Sequence, residues 1–221
     1  MGSLEGWVRS LSPAAEFCLV VGAAFAIPVG MSWWITFGDV ARAQALQLTE
    51  GELRALIAEE ALLLMLLGWF LRVRGWSVEH FAAYPSRREL VMAAWLTAVS
   101  FFVWVVPWFL LAPANVEAAS STDAALSWPG ILAVSILNPL FEELFLCAYM
   151  LAFLASRSGP GVAVAISLLV RLSFHTYQGA VGLLAIGLLG LVLSIFYLRT
   201  QRLWPVLIAH GLLDFIALAI A

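Results

Sequence analysis

A succession of apolar runs of about 20 residues each, separated by short polar connectors, dominates this sequence. A run of that length is what a helix needs to cross the roughly 30 Å hydrocarbon core of a bilayer. Inside that core a backbone can satisfy its own N–H and C=O groups only as a helix or a closed barrel. The chain therefore reads as all-α: a polytopic transmembrane helix bundle whose first partner is the lipid bilayer. Composition agrees, since 63% of the 221 residues are hydrophobic and 11% are charged, against about 25% charged in a soluble domain. The net charge is −3 and the eleven basic residues are all Arg and dispersed, so no cluster is available to track phosphates and nucleic acid is excluded as a partner. Cys18 and Cys147 both fall in apolar segments and form neither a disulfide framework nor a zinc spacing.

About seven spans are expected, at 13–34, 50–70, 90–111, 128–157, from the turn at 158–161 to about 179, 180–197 and 203–221. The first is too long for a signal-peptide core and reads as retained. Thr49 followed three residues later by Glu52 is a capping box that opens the second helix. Glu59 and Glu60 are a rival pair to the carboxylates of the fourth span, yet they lie near the outer end of that helix, where interfacial water lowers the cost of charge, and are expected to be solvated. The connector carrying Arg72, Arg74, Trp76, His80, Pro85, Arg87 and Arg88 reads as an exposed interfacial loop, with His80 in solvent. The stretch 113–127 reads as a solvated connection. Gly182, Gly187 and Gly190 in the sixth span allow close helix approach.

An N-terminus in the cytoplasm places Arg9, Arg72, Arg74, Arg87, Arg88, Arg157, Arg199 and Arg202 inside and only Arg42 and Arg54 outside, which gives N-in/C-out. One integral membrane domain, 1–221, is expected, with N-terminal helices in 1–112 and chemistry-bearing helices in 128–221. The expected location is a plasma membrane, taken as a bacterial cell membrane, with the protein multi-pass.

Glu142 and Glu143 sit in the middle of the fourth span. Each ionisable group at the bilayer centre costs about 2.5–3.5 kcal/mol, so such groups face a protein interior and pair with one another. The partners available are Arg171 and His175, four apart and on one helix face, and His210 and Asp214, spaced the same way. Glu142 and Glu143 differ by about 100° around their helix. They should therefore do different work, one facing a reacting water and the other a supporting cation. Pro139, one turn before Glu142, removes an N–H and frees the carbonyl of Ser135. A carboxylate with imidazoles suits water activation. A His-Glu-x-x-His helix, a Gly-x-Ser-x-Gly turn and an intramembrane Gly-Asp pair are all absent from the sequence. On the residues alone, a proton or ion relay and a non-catalytic membrane scaffold stay open.

Glu142-Glu143, then His175, then His210-x-x-x-Asp214 on successive apolar helices resemble the CAAX prenyl protease and bacteriocin-processing family of intramembrane proteases. Its pattern is Glu-Glu-x-x-x-Arg, Phe-x-x-x-His and His-x-x-x-Asn or Asp. The resemblance implies an endopeptidase that cleaves a membrane-associated protein or peptide, with Glu142 as the water-activating base and His175 as its partner in holding the water. His210 and Asp214 would stabilise the oxyanion. It leaves open a divalent metal, such as zinc, on Glu142, His175 and His210, beside a purely Glu/His mechanism, and an immunity-type scaffold beside the enzyme. Cys147 stands where the pattern has Arg, and Arg171 where it has Phe. One change compensating the other would make Arg171 the counter-ion of Glu143 and leave Glu142 free for water.

Overall fold

The computed structural model describes residues 4–38, 49–76, 84–111 and 126–220. His80, the polar connector at 39–47 and nearly all of the 113–127 stretch lie outside the described residues. The described chain is helical throughout: α1 (Leu4–Ser10), α2 (Pro13–Gly38), α3 (Glu50–Val73), α4 (Arg87–Leu111), α5 (Trp128–Glu143), a π-helix (Leu144–Leu151), α6 (Ala152–Ser158), α7 (Pro160–Ser173), a 3-10 turn (Thr176–Gln178), α8 (Gly179–Thr200) and α9 (Leu203–Ile220).

Among the described residues, five helical stretches are long and apolar enough to cross a membrane: Pro13–Gly38, Arg87–Leu111, Trp128–Ser158, Thr176–Thr200 and Leu203–Ile220. Two of the seven expected spans do not meet both conditions. α3 is 24 residues long but carries Glu59 and Glu60 within it. α7 has 14 residues, about 21 Å at 1.5 Å per residue, and it stops beside the site instead of running on to the far surface.

Capping explains several of the starts. Glu52 N–H donates to Thr49 Oγ1 at 3.2 Å and Thr49 N–H to Glu52 Oε2 at 2.8 Å, the expected capping box. Ser86 and Glu89 make a second at the start of α4. Ser127 caps α5 and is itself held by Glu50, which accepts from its N–H and hydroxyl, so the starts of α3 and α5 are tied together.

The polarity of the bundle is inverted relative to a soluble protein. Phe37, Trp95 and Phe109 are exposed on the outside, while Glu142, Glu143, Arg171 and His210 are buried. The continuous helix Trp128–Ser158 is the centre, its most apolar window being 61% buried against 22% for α2 and α4.

Two features shape this central helix. Pro139 cannot bond the Ser135 carbonyl, and that oxygen faces Gly211 of α9 so closely that an added Cβ would lie 2.5 Å from it. The helix then widens into the π-helix directly after Glu143. π-Turns are usually short and often sit at functional sites. The fully buried run Phe145–Leu151 fills this wide segment.

Trp76 is not an exposed loop residue. Its Nε1–H donates to Glu16 Oε1 at 2.9 Å and its ring packs on Tyr149. Glu16 also pairs with Arg74, whose guanidinium reaches the carbonyls of Val8 and Arg9. A buried carboxylate on α2 draws the expected interfacial residues inward, because the cost of leaving it unpaired exceeds that of ordering them.

Candidate active site

The buried polar cluster is built on α5, α7 and α9. Glu143 is fully buried and receives three donors: Arg171 Nη2 at 2.7 Å, His210 Nδ1 at 2.7 Å and Cys147 Sγ at 3.0 Å. Glu142, one residue earlier and rotated by about 100°, lines a cavity of about 430 Å³. It takes a single contact from the cluster, Arg171 Nη1 at 3.1 Å on Oε2. The two carboxylates thus occupy different surroundings, although Glu142 is not free of Arg171: the guanidinium bridges both. A planar fork with parallel donors can serve two carboxylates at once.

Gly190 of α8 makes room for this arginine. A Cβ at Gly190 would stand 2.8 Å from Arg171 Cδ and 2.9 Å from Leu168 Cδ2. Cys147, in the place of the family pattern's Arg, donates its thiol to Glu143, while the cation arrives from α7.

Arg171 also organises the second half of the site through its backbone. Its carbonyl accepts from His175 Nδ1–H at 3.0 Å. A neutral imidazole with that N–H committed leaves Nε2 as an acceptor. His175 lines the same cavity as Glu142. The turn that follows it is clamped to α2: Ser32 Oγ lies 2.7 Å from Thr176 Oγ1, Thr36 reaches the same hydroxyl at 3.1 Å, and Tyr177 N–H donates to Ser32 at 3.3 Å.

His210 lies between carboxylates, with Nδ1 on Glu143 and Nε2 at 3.4 Å from Asp214 Oδ1. Asp214 accepts from Asn138 Nδ2 at 3.0 Å. Glu142, His175, His210 and Asp214 all line the cavity, so five of the six sequence candidates form one chain of contacts and His175 joins it through the Arg171 backbone.

The expected metal set was Glu142, His175 and His210. Among the described residues, the donor atoms that converge within 4.8 Å belong instead to Glu142, Glu143 and His210. They do not fit a divalent ion as they stand. The Arg171 guanidinium occupies the position between the two glutamates, and His210 Nδ1 is turned onto Glu143. A cation of two charges beside a buried guanidinium would face strong repulsion at low dielectric.

Residues 124–216 match the family model described as Rce1-like, Type II CAAX prenyl endopeptidase Rce1-like. That stretch, somewhat less than half of the chain, is similar to the Rce1-like family. The resemblance drawn from the glutamate and histidine spacing is thereby borne out over α5 to α9, and every residue of the cluster lies within the Rce1-like stretch. No curated protein and no solved structure matches the chain.

Several residues around the Rce1-like core were missed at the level of sequence. Asn138, Ser32 and Thr176 are single polar residues without spacing to mark them. Glu60 was expected in interfacial solvent; it is 3% exposed and lines the cavity with Glu142 and His210. The rotation of α3 about its own axis decides this, and α3 packs against α5 with Glu60 inward.

Proposed function

We propose that this chain is an intramembrane endopeptidase that hydrolyses a peptide bond of a membrane-associated protein or peptide by glutamate- and histidine-activated water. The observation that carries the reading is the placement of Glu142: a carboxylate on a cavity wall, backed by a guanidinium and facing the same space as an imidazole with an acceptor nitrogen.

A water between Glu142 and His175 gives one proton to the Glu142 carboxylate as its oxygen attacks the carbonyl carbon of the substrate, with His175 Nε2 holding the second hydrogen. The negative charge that develops on the carbonyl oxygen faces His210, which Glu143 and Asp214 hold in place from its two sides. Asp214 only accepts, so its part is to orient His210 and the Asn138 amide. When the C–N bond breaks, Glu142 returns its proton to the departing nitrogen, so water and peptide become an acid and an amine with no proton gained or lost. Arg171 keeps Glu143 ionised throughout and limits reorganisation around Glu142.

The membrane arrangement that goes with this reading is a single domain of seven spans, N-in and C-out, in a plasma membrane, with α3 and α7 lining the site. Contacts between ends support the alternation. Arg74 meets Glu16 and Arg202 meets Glu89 at ends assigned inside, and Glu50 meets Ser127 at ends assigned outside.

The test is Glu142→Gln, which keeps shape and removes the proton acceptor. Peptides released from membranes of cells carrying wild-type protein should be absent with the variant, and turnover of the purified protein should fall by about 10²–10⁴-fold. Undiminished cleavage by the purified variant would falsify the assignment of Glu142 as base.

A further inference from the structure

We infer that Glu60 is a substrate-binding carboxylate that receives a cationic side chain of the peptide, making the enzyme selective for Lys or Arg near the bond it cuts. The inference rests on the peptidase reading of the same cavity. It concerns a residue outside the Rce1-like stretch, on α3.

The other fully buried carboxylates among the described residues have partners. Glu143 and Glu142 share Arg171, Glu16 pairs with Arg74 and Glu89 with Arg202. Asp214, less buried, meets Asn138 and His210. On α3 the Oε1 of Glu59 and the Oε2 of Glu60 are both buried with no hydrogen-bond partner, but Glu59 is only half-buried and does not line the cavity, whereas Glu60 is 3% exposed and makes no ion pair among the described residues. It also lines the cavity that holds Glu142, His175 and His210. An unpartnered buried polar group is destabilising, and a leucine there would pack without that cost. A carboxylate kept under those conditions is suited to a partner that arrives from outside.

The cavity indicates the sign of that partner. Its walls carry Glu60, Glu142 and Asp214 against the imidazoles of His175 and His210, and among the described residues no arginine lines it. Arg171 lies behind Glu142, committed to the two glutamates. Trp104, Trp108 and Tyr177 also line the space, and aromatic faces attract ammonium and guanidinium groups. A cavity of about 430 Å³ that combines an uncommitted carboxylate with aromatic walls suits the end of a Lys or Arg side chain and opposes an acidic one. The scissile carbonyl must reach Glu142 on the facing helix, so the cation belongs to a residue close to the cleaved bond.

The experiment uses full-length protein in nanodiscs and short fluorescent apolar peptides identical except for one central residue: Lys, norleucine or Glu. Binding is measured in the Glu142→Gln background and cleavage in protein with Glu142 intact. The Lys peptide should bind about tenfold more tightly than the norleucine peptide, or better, as expected of a charge pair sheltered from water. Glu60→Gln should bring that ratio to about one, and in the cleavage arm the loss should appear in KM for the Lys peptide and not in kcat. Glu60→Arg, if its thermal unfolding in detergent shows it folded, should favour the Glu peptide. Equal binding of Lys and norleucine peptides by the Glu142→Gln protein overturns the inference. So does an equal loss on every peptide in Glu60→Gln, which marks a structural or proton-transfer role. Because binding is read without turnover, a charge preference that vanishes with Glu60→Gln while no peptide is ever cut would reject the peptidase reading and leave the Glu60 contact standing.

Discussion

Removing the guanidinium of Arg171 should be among the most damaging single changes in the protein, and a second substitution should repair it. Arg171 is 1% exposed and contacts Glu143 at 2.7 Å and Glu142 at 3.1 Å. In Arg171→Ala two buried carboxylates lose their common cation, and breaking a buried pair by deleting one partner costs about 3–5 kcal/mol. The backbone carbonyl that holds His175 survives the change, so the loss belongs to the carboxylates and not to a displaced imidazole. Cys147 Sγ already lies 3.0 Å from the other oxygen of Glu143. An arginine at 147 would therefore enter the volume that the alanine vacates and restore a cation on the same helix. The assay is unfolding of detergent-solubilised protein by heat or by increasing SDS, with peptide cleavage measured alongside. Arg171→Ala should lose about 3–5 kcal/mol and nearly all activity, and Arg171→Ala combined with Cys147→Arg should recover about half of that loss or more. Wild-type stability in Arg171→Ala would refute the pairing energy, and a double variant no better than the single one would refute the compensation.

Protein purified without chelators should carry less than about one-tenth equivalent of any transition metal and keep its activity in EDTA, because the guanidinium stands between the carboxylates that a metal would need; loss on chelation that zinc reverses would overturn this. Gly190→Ala should cost about 1–3 kcal/mol and lower cleavage, since its methyl would lie 2.8 Å from Arg171 Cδ, whose far end is tied down. Gly187→Ala, 3.6 Å from Leu172, serves as the tolerated control, and equal effects of the two would refute the packing account. For topology, Ser120→Cys in a Cys18→Ala background should react with an impermeant reagent in intact cells, and Ser158→Cys only after lysis; the reverse pattern would invert the orientation.

The membrane class, the burial of Glu142 and Glu143, the capping box at Thr49 and the order of the histidine and aspartate motifs were legible because each depends on residue type and spacing alone. Apolar run length decides burial in lipid, and a four-residue spacing decides which groups share a helix face. Partners across helices depend on how each helix is rotated about its own axis. α2 and α4 are apolar nearly all round, so they carry no face signal that would point Ser32 at Thr176 or Trp104 into a cavity. The same limit hid Glu60, whose inward position on α3 follows from packing against α5 and not from its neighbours in sequence. The widening of the central helix after Glu143 likewise has no marker in the run Leu144–Leu151, which would serve equally well in an ordinary helix. Those four matters were decided only when the bundle closed, because in a membrane the apolar pattern separates lipid from polar head groups and says little about which side of a helix meets the protein.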